Sequence, residues 1–262
     1  MPIDFFAEHN RSSYASRTAD LDWCRWLKQR VNPQGKVIVD LGCGGGIYSR
    51  VFLGMGAQQV IGIDSSPVML KEAEATTPSD RVHWQLGDVT DTGLADETAD
   101  LLFLRAVIHH LTDLAPILAE CRRILKTGGT LLIQDRTPED CLLPAEPHHL
   151  RGYIMSYCSE LQKIEIARRH HREDVSHAMN IAGWSEIKSE TLWETRCTYN
   201  TLDELEKEIL NRTGRSILHD LSDVELLSLT QKIHQEYTTQ GILTNIPDRD
   251  RWTVWTGTKV GS

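Results

Sequence analysis

Positive charge is in short supply in this 262-residue chain: 28 lysines and arginines stand against 37 aspartates and glutamates, a net charge of −9. A protein that grips nucleic acid through its phosphates wants a basic face, so this balance argues against a large nucleic-acid footprint. Long apolar runs are missing as well. Stretches such as "DLLFLRAVI" (Asp100 to Ile108) fall far short of the roughly 20 residues that a bilayer-spanning helix needs. The opening "MPIDFFAEHNRSS" has no basic segment followed by an apolar one, so no signal peptide is expected. Six cysteines are scattered with no Cys-x-x-Cys pair, which fits reduced thiols better than a disulfide framework or a zinc site. Internal repeats and low-complexity segments are absent. What remains is the composition of a cytoplasmic globular protein with one sizeable core.

Within that core, short β-branched runs alternate with helical stretches. "KVIVDLG", "QQVIGID", "RVHWQLGD", "ADLLFLRA" and "GTLLIQD" read as five strands. Between the second and third, Ser66 is placed to cap a helix with Pro67 at its first position, where a missing N–H costs nothing. A second helix is expected from near Thr112 to Gly128-Gly129. Strand–helix–strand units of this kind form right-handed crossovers, hence a mostly parallel α/β sheet covered on both faces. The chain divides into an N-terminal helical segment (1–34), the core (35–199), a helical insertion (200–248) and a closing strand (249–262). Two capping boxes, Thr201 to Glu204 and Ser222 to Glu225, mark helices in the insertion, where Leu226, Leu229, Ile233 and Tyr237 recur at helical spacing. That insertion is read as a packing embellishment, a substrate lid or a homodimer contact.

The most informative stretch is "VIVDLGCGGGIYSR", where a strand runs into four glycines. A glycine-rich turn between strand and helix presents backbone N–H groups to a ligand at the carboxyl edge of the sheet. The dinucleotide fingerprint would need a small residue at position 47, which is Ile, and no Gly-Lys-Ser/Thr of a nucleotide loop follows. Asp40-Leu-Gly42-Cys-Gly44-Gly-Gly46 instead resembles the first motif of class I S-adenosylmethionine-dependent methyltransferases. Further matches follow in order: Asp64 ending the second strand, Gly87-Asp88 ending the third, "LLFLRAVIHHL" at the fourth, and "CRRILKTGGTLLIQD" before and along the fifth.

The resemblance implies a Rossmann-like, seven-stranded sheet with helices on both faces. It also implies S-adenosyl-L-methionine as cofactor, with S-adenosyl-L-homocysteine as product. The implied cofactor residues are Asp40, Gly42, Cys43, Gly44, Gly46, Asp64, Ser65, Asp88, Val89 and Arg105. Asp40 would lie near the cofactor's ammonium, Asp64 at the ribose diol and Asp88 at the adenine amine. Gly42 and Gly44 would let the backbone approach the aminoacyl tail, and Cys43 is a small turn residue rather than a nucleophile.

Methyl transfer from a sulfonium needs alignment and exclusion of water, and a base only where the acceptor must lose a proton. The proline-aromatic motif of enzymes that methylate base amines is absent after the fourth strand, while the His-His-Leu ending resembles small-molecule methyltransferases. His109 and His110 are the candidate catalytic bases, against a reading in which they only pack and bond locally. Arg105 is expected to touch cofactor or substrate, or to pair with Asp88 or Asp135. Arg168 to Arg172 reads as a solvated basic face. Phe5, Phe6 and Tyr14 are candidates for a lid over the cofactor, and no metal is expected. Two other functions are weighed: arsenite methylation through Cys141, Cys158 and Cys197, and cofactor binding without catalysis.

Overall fold

A computed structural model describes residues 19–261; Phe5, Phe6 and Tyr14 lie outside the described residues. Helix α1 (Leu21–Arg30) precedes β1 (Val37–Leu41), α2 (Ile47–Gly54), β2 (Gln59–Asp64), α3 (Pro67–Thr76) and β3 (Val82–Leu86). Strand β4 (Ala99–Arg105), α4 (Ala115–Ile124) and β5 (Leu125–Asp135) follow. Three short helices, α5 (Pro138–Cys141), α6 (Leu150–Tyr157) and α7 (Ser159–Ala167), lead to α8 (Arg172–Ile181). A long hairpin, β6 (Ser185–Thr201) and β7 (Thr244–Thr258), carries α9 (Leu202–Leu210) and α10 (Asp223–Thr239) at its tip. The seven strands lie in the order β3-β2-β1-β4-β5-β7-β6, with β7 running antiparallel to the other six.

Alternation along the strands fills two cores. On β4, Leu102 and Leu104 face one side with α4 and α8, whereas Leu101 and Phe103 face the other with Trp23, Leu27 and Phe52. Burial on both faces is what continuous apolar runs in a parallel sheet require. Truncating a fully buried ring such as Phe103 to Ala would cost about 3–5 kcal/mol. A third core lies in the insertion, where Leu226, Leu229, Ile233 and Tyr237 of α10 pack on α6 and α9.

Ser66 caps α3 as expected, accepting from the Met69 N–H, and Ser222 with Glu225 forms a full capping box. Glu204 differs: its carboxylate accepts from the N–H of Asn200 rather than that of Thr201. Helix α4 is shorter than its sequence pattern suggested. Asp113 accepts from the Ala115 N–H and Pro116 sits in the first turn, so the helix starts there and not at Thr112. It ends at Ile124 because Leu125 is already extended and pairs with Ala99. Gly128, at φ +81°, belongs to the bulge that shifts the β4–β5 register. Strand β7 also begins earlier than position 249, so Asp248 lies in the sheet hairpin and not in the helical insertion.

Candidate active site

The carboxyl edges of β1, β2, β4 and β5 converge on the glycine turn. Gly42, Gly44 and Gly46 all have left-handed backbones, at φ +73°, +51° and +74°, conformations in which a Cβ is penalised. Their surroundings differ. A Cβ on Gly42 would lie 2.4 Å from Val107, and one on Gly46 2.5 Å from the Trp84 ring. These two glycines therefore make room for the protein's own side chains, a requirement for glycine that stands whatever their backbone meets on its other side. Gly44 meets nothing nearer than the Met69 methyl at 3.5 Å, so its face of the turn is open.

Asp64 ties β2 to this turn. Its Oδ2 accepts from the Gly44 N–H at 2.8 Å and its Oδ1 from the Ser66 N–H at 2.9 Å, with Ser65's N–H also directed at it. Asp40 is buried and accepts from the Ser49 hydroxyl at 2.6 Å. Burial pushes its carboxyl up to about 7; Ser49 pulls against this, while the neighbouring Asp64 adds to the rise. The buried Cys43 thiol is pushed well up, chiefly by burial, and is therefore a poor nucleophile. Asp88 is exposed and folds onto Thr90, accepting from its N–H and hydroxyl, while Val89 packs against the main core.

After β4 the chain turns sharply, with Ala106 at φ +56°, a strained conformation for a side-chain-bearing residue. Arg105 pairs with Glu194 at 2.6 Å and lies over the rings of Tyr48 and Trp252, not with Asp88 or Asp135 as the sequence suggested. A short 3₁₀ turn then carries Ile108, His109 and His110. The His109 Nδ1 sits 2.9 Å from Asp135 Oδ2, and its backbone N–H also bonds that carboxylate. His110 stacks on His109 at 4.0 Å between ring centroids. Burial lowers the basicity of both rings, His110 to about 4, so both are neutral at pH 7; Asp135 opposes the effect on His109. Nδ1–H donation to Asp135 leaves the lone pair on Nε2, which has no hydrogen-bond partner among the described residues.

Sequence reasoning missed what lies behind this dyad. Burial alone would raise the Asp135 carboxyl, yet His109 and Arg169 hold it well below the usual range. Arg169 bonds Asp135 at 2.7 Å and Glu165 at 2.9 Å with its side chain only 2% exposed, so the basic run is no solvated face at this residue. His170 bonds the carbonyls of Ile108 and Leu111, bracing the histidine turn. Further along, Asp250 accepts from Arg136 and Arg215, and Asp248 from Arg215 and Arg196. Faint signals existed: Glu165 and Arg169 stand at i,i+4 spacing, and Asp248 and Asp250 alternate on one face of a strand.

The three cysteines considered for a thiophilic ion do not form a shared site. Cys141 is buried with its thiol pushed up by burial, while Cys158 and Cys197 pack against the core of the insertion. Among the described residues, no group of three His, Cys, Asp or Glu is arranged to hold a metal ion. Two open grooves, about 560 Å³ between α6 and α10 and about 760 Å³ between α4 and α8, include neither the glycine turn nor His109.

Residues 39–133 match the family model described as a methyltransferase domain, a span that covers both the glycine turn and the histidine turn. Over this span the chain is similar to a methyltransferase domain. Ubiquinone biosynthesis O-methyltransferase from Pseudomonas fluorescens (strain SBW25) is 31% identical over 119 residues, 44% of this chain and 51% of that one. The protein of that name from Xanthomonas oryzae pv. oryzae (strain PXO99A) is 30% identical over 147 residues, 49% of this chain and 61% of that one. The chain thus spans about half the length of these curated relatives. Phosphoethanolamine N-methyltransferase 2 of Haemonchus contortus, solved with S-adenosyl-L-methionine, superposes with a TM-score of 0.62 at 16% identity, over 99% of this chain and 60% of that one. An S-adenosylmethionine-dependent methyltransferase from Mesorhizobium loti gives 0.55 at 17% identity, over 91% and 97%. At such identities the likeness is one of fold, and the chain's chemistry must be argued from its own residues. No helix among the described residues is long and apolar enough to cross a membrane.

Proposed function

We propose that this chain transfers a methyl group from S-adenosyl-L-methionine to an oxygen, nitrogen, sulfur or carbon atom of a small-molecule acceptor, with His109 as base. The observation that carries the reading is the His109–Asp135 pair, seated beside the glycine turn through the Val107–Gly42 contact.

The residues fit the cofactor. Asp40 is a buried carboxylate bonded to a hydroxyl rather than a cation, and an ammonium at this edge would relieve the burial that keeps its carboxyl near pH 7. Asp64 keeps lone-pair capacity beyond its backbone bonds to Gly44, Ser65 and Ser66 for a ribose diol, and the open face of Gly44 adjoins it. Bound there, the cofactor supplies a methyl group on a sulfonium, and S-adenosyl-L-homocysteine is left after transfer.

The protein's work is orientation and proton removal. Asp135 holds the His109 ring with Nε2 outward, and Nε2 takes the proton of an acceptor O–H, N–H or S–H as its lone pair forms the new bond to the methyl carbon. Asp135 stays ionised and stabilises the imidazolium until the proton passes to solvent. Arg215, from the insertion, anchors on Asp248 and Asp250, which supports reading the insertion as a wall of the acceptor side. The free cysteines and acidic balance fit a cytoplasmic enzyme whose acceptor is not nucleic acid.

Incubating the protein with methyl-labelled cofactor and a panel of small phenols, amines and thiols should yield S-adenosyl-L-homocysteine with at least one of them. His109→Ala should then lower turnover by about 10²–10⁴-fold while cofactor affinity, read by calorimetry, stays constant. Tight cofactor binding with no methyl release from any acceptor would leave a binding module instead.

A further inference from the structure

Charge in the lattice beside His109 does not balance. Five arginines with side chains at most 7% exposed share four carboxylates at most 3% exposed. At the rim Arg105 pairs with Glu194 and Arg251 with Asp140, while the partly exposed Arg168 adds a sixth guanidinium, on Glu165, and Glu208 a fifth carboxylate, on Arg196. The carboxylates are thus shared, and unevenly.

The shortfall falls on Arg136. Its carboxylate partner, Asp250, is held twice by Arg215 at 3.0 and 3.1 Å and approached by Arg151 at 3.7 Å. Of Arg136's side-chain nitrogens only Nη2 donates to a described residue, at 2.9 Å, and its Nε is buried without a partner. Arg151 makes one hydrogen bond, to Glu165, and its buried Nε stands 3.7 Å from Asp250, too far for a second. Burial, then the nearness of Arg151, lowers the Arg136 guanidinium to about 9, the direction expected where positive charges crowd. The Arg136 guanidinium carbon lies over Trp252, 3.6 Å from the ring centroid, and the Arg136 backbone N–H bonds the same Asp135 that holds His109. The under-compensated cation is thus one residue from the dyad.

We propose that Arg136, with Arg151 beside it, forms a subsite for a negatively charged group of the acceptor, a carboxylate or a phosphate. The inference rests on the methyl-transfer reading for the word acceptor, but the anion site itself does not. A forked anion satisfies the free guanidinium donors in pairs, as a planar, always-charged group favours.

The test uses the whole chain loaded with S-adenosyl-L-homocysteine, at fixed ionic strength, with sodium phosphate and sodium acetate as probes against chloride. At tenfold excess over Kd, phosphate or acetate should raise the unfolding midpoint by about 3 °C or more, and the stronger of the two names the group. Arg136→Gln should abolish the shift while still binding S-adenosyl-L-homocysteine, since Asp250 keeps Arg215. Arg136→Lys, which retains the charge without the fork, should give a smaller shift and decides the matter should Arg136→Gln not fold. No shift in the wild-type protein, or an undiminished one in these variants, overturns the subsite. Anion binding without any S-adenosyl-L-homocysteine binding would leave the subsite standing and overturn the methyltransferase reading instead.

Discussion

Around β1 and β2, the carboxyl edge of the sheet holds acids bonded to neutral donors: Asp40 to the Ser49 hydroxyl, Asp64 to two backbone N–H groups. Around β5 and β7 the buried acids hold arginines, with Asp135, Glu165, Asp248 and Asp250 each bound to at least one. The difference sorts their roles. An acid raised by burial and left without a cation, as Asp40 is, suits a cationic ligand, whereas an acid held ionised by arginine also ties the fold together, whatever else it does. Substitutions on the first side should weaken binding, and on the second side stability.

The largest expected effect is on the second side. Asp135→Asn leaves Arg169 buried beside a neutral amide and should lower stability by about 3–5 kcal/mol in urea unfolding, because breaking a buried pair strands its partner. On the first side, Asp64→Ala should weaken S-adenosyl-L-homocysteine binding by tenfold or more in calorimetry, a hydrogen bond to a charged group contributing about 1.5–3 kcal/mol. Its unfolding midpoint should move far less than that of Asp135→Asn; equal shifts would erase the contrast. Gly42→Ala should cost about 1–2 kcal/mol for its left-handed backbone alone. Crowding against Val107 adds to this, and Val107→Ala in the same chain should recover that added part.

The smallest effect is on pH dependence. Burial raises the Asp40 carboxyl to about 7, so the folded protein takes up its proton at a higher pH than the unfolded chain does. Asp40 therefore supports the fold best at low pH, and this support is lost as pH rises through 7. Cofactor binding runs the other way, since an ammonium prefers the ionised form. Affinity should fall by up to about tenfold per unit below pH 7, and Ser49→Ala should move the midpoint upward.

The same contrast governs what could be read from the sequence. The strands, the glycine turn and the Ser66-Pro67 helix start are set by neighbours in the chain, and such local chemistry is legible in residue order. His109 was legible as a candidate base, but its partner, Asp135, was named as a possible partner of Arg105 and not of His109. The arginine lattice was not legible. Asp135 and Arg169 are separated by 34 positions, Arg105 and Glu194 by 89, and Arg136 and Asp250 by 114. Only the folded sheet brings such charges together, and from sequence alone an Arg-Arg-His-His run looks like surface. Gly42 and Gly46 carry a subtler version of this lesson. Their need for glycine was plain, but the part that Val107 and Trp84 play in it required the packing.

Strand β7 is last in chain order yet lies inside the sheet, between β5 and β6, with Thr258 opposite both Thr130 and Ser185. Contacts so distant along the chain are slow to close, because the entropy of a long loop must be lost before they form. Until β7 enters, Asp248 and Asp250 are elsewhere and Arg136, Arg151 and Arg215 stay in water. The glycine turn can assemble early from near neighbours, whereas the arginine lattice is the last part of the fold to acquire its shape.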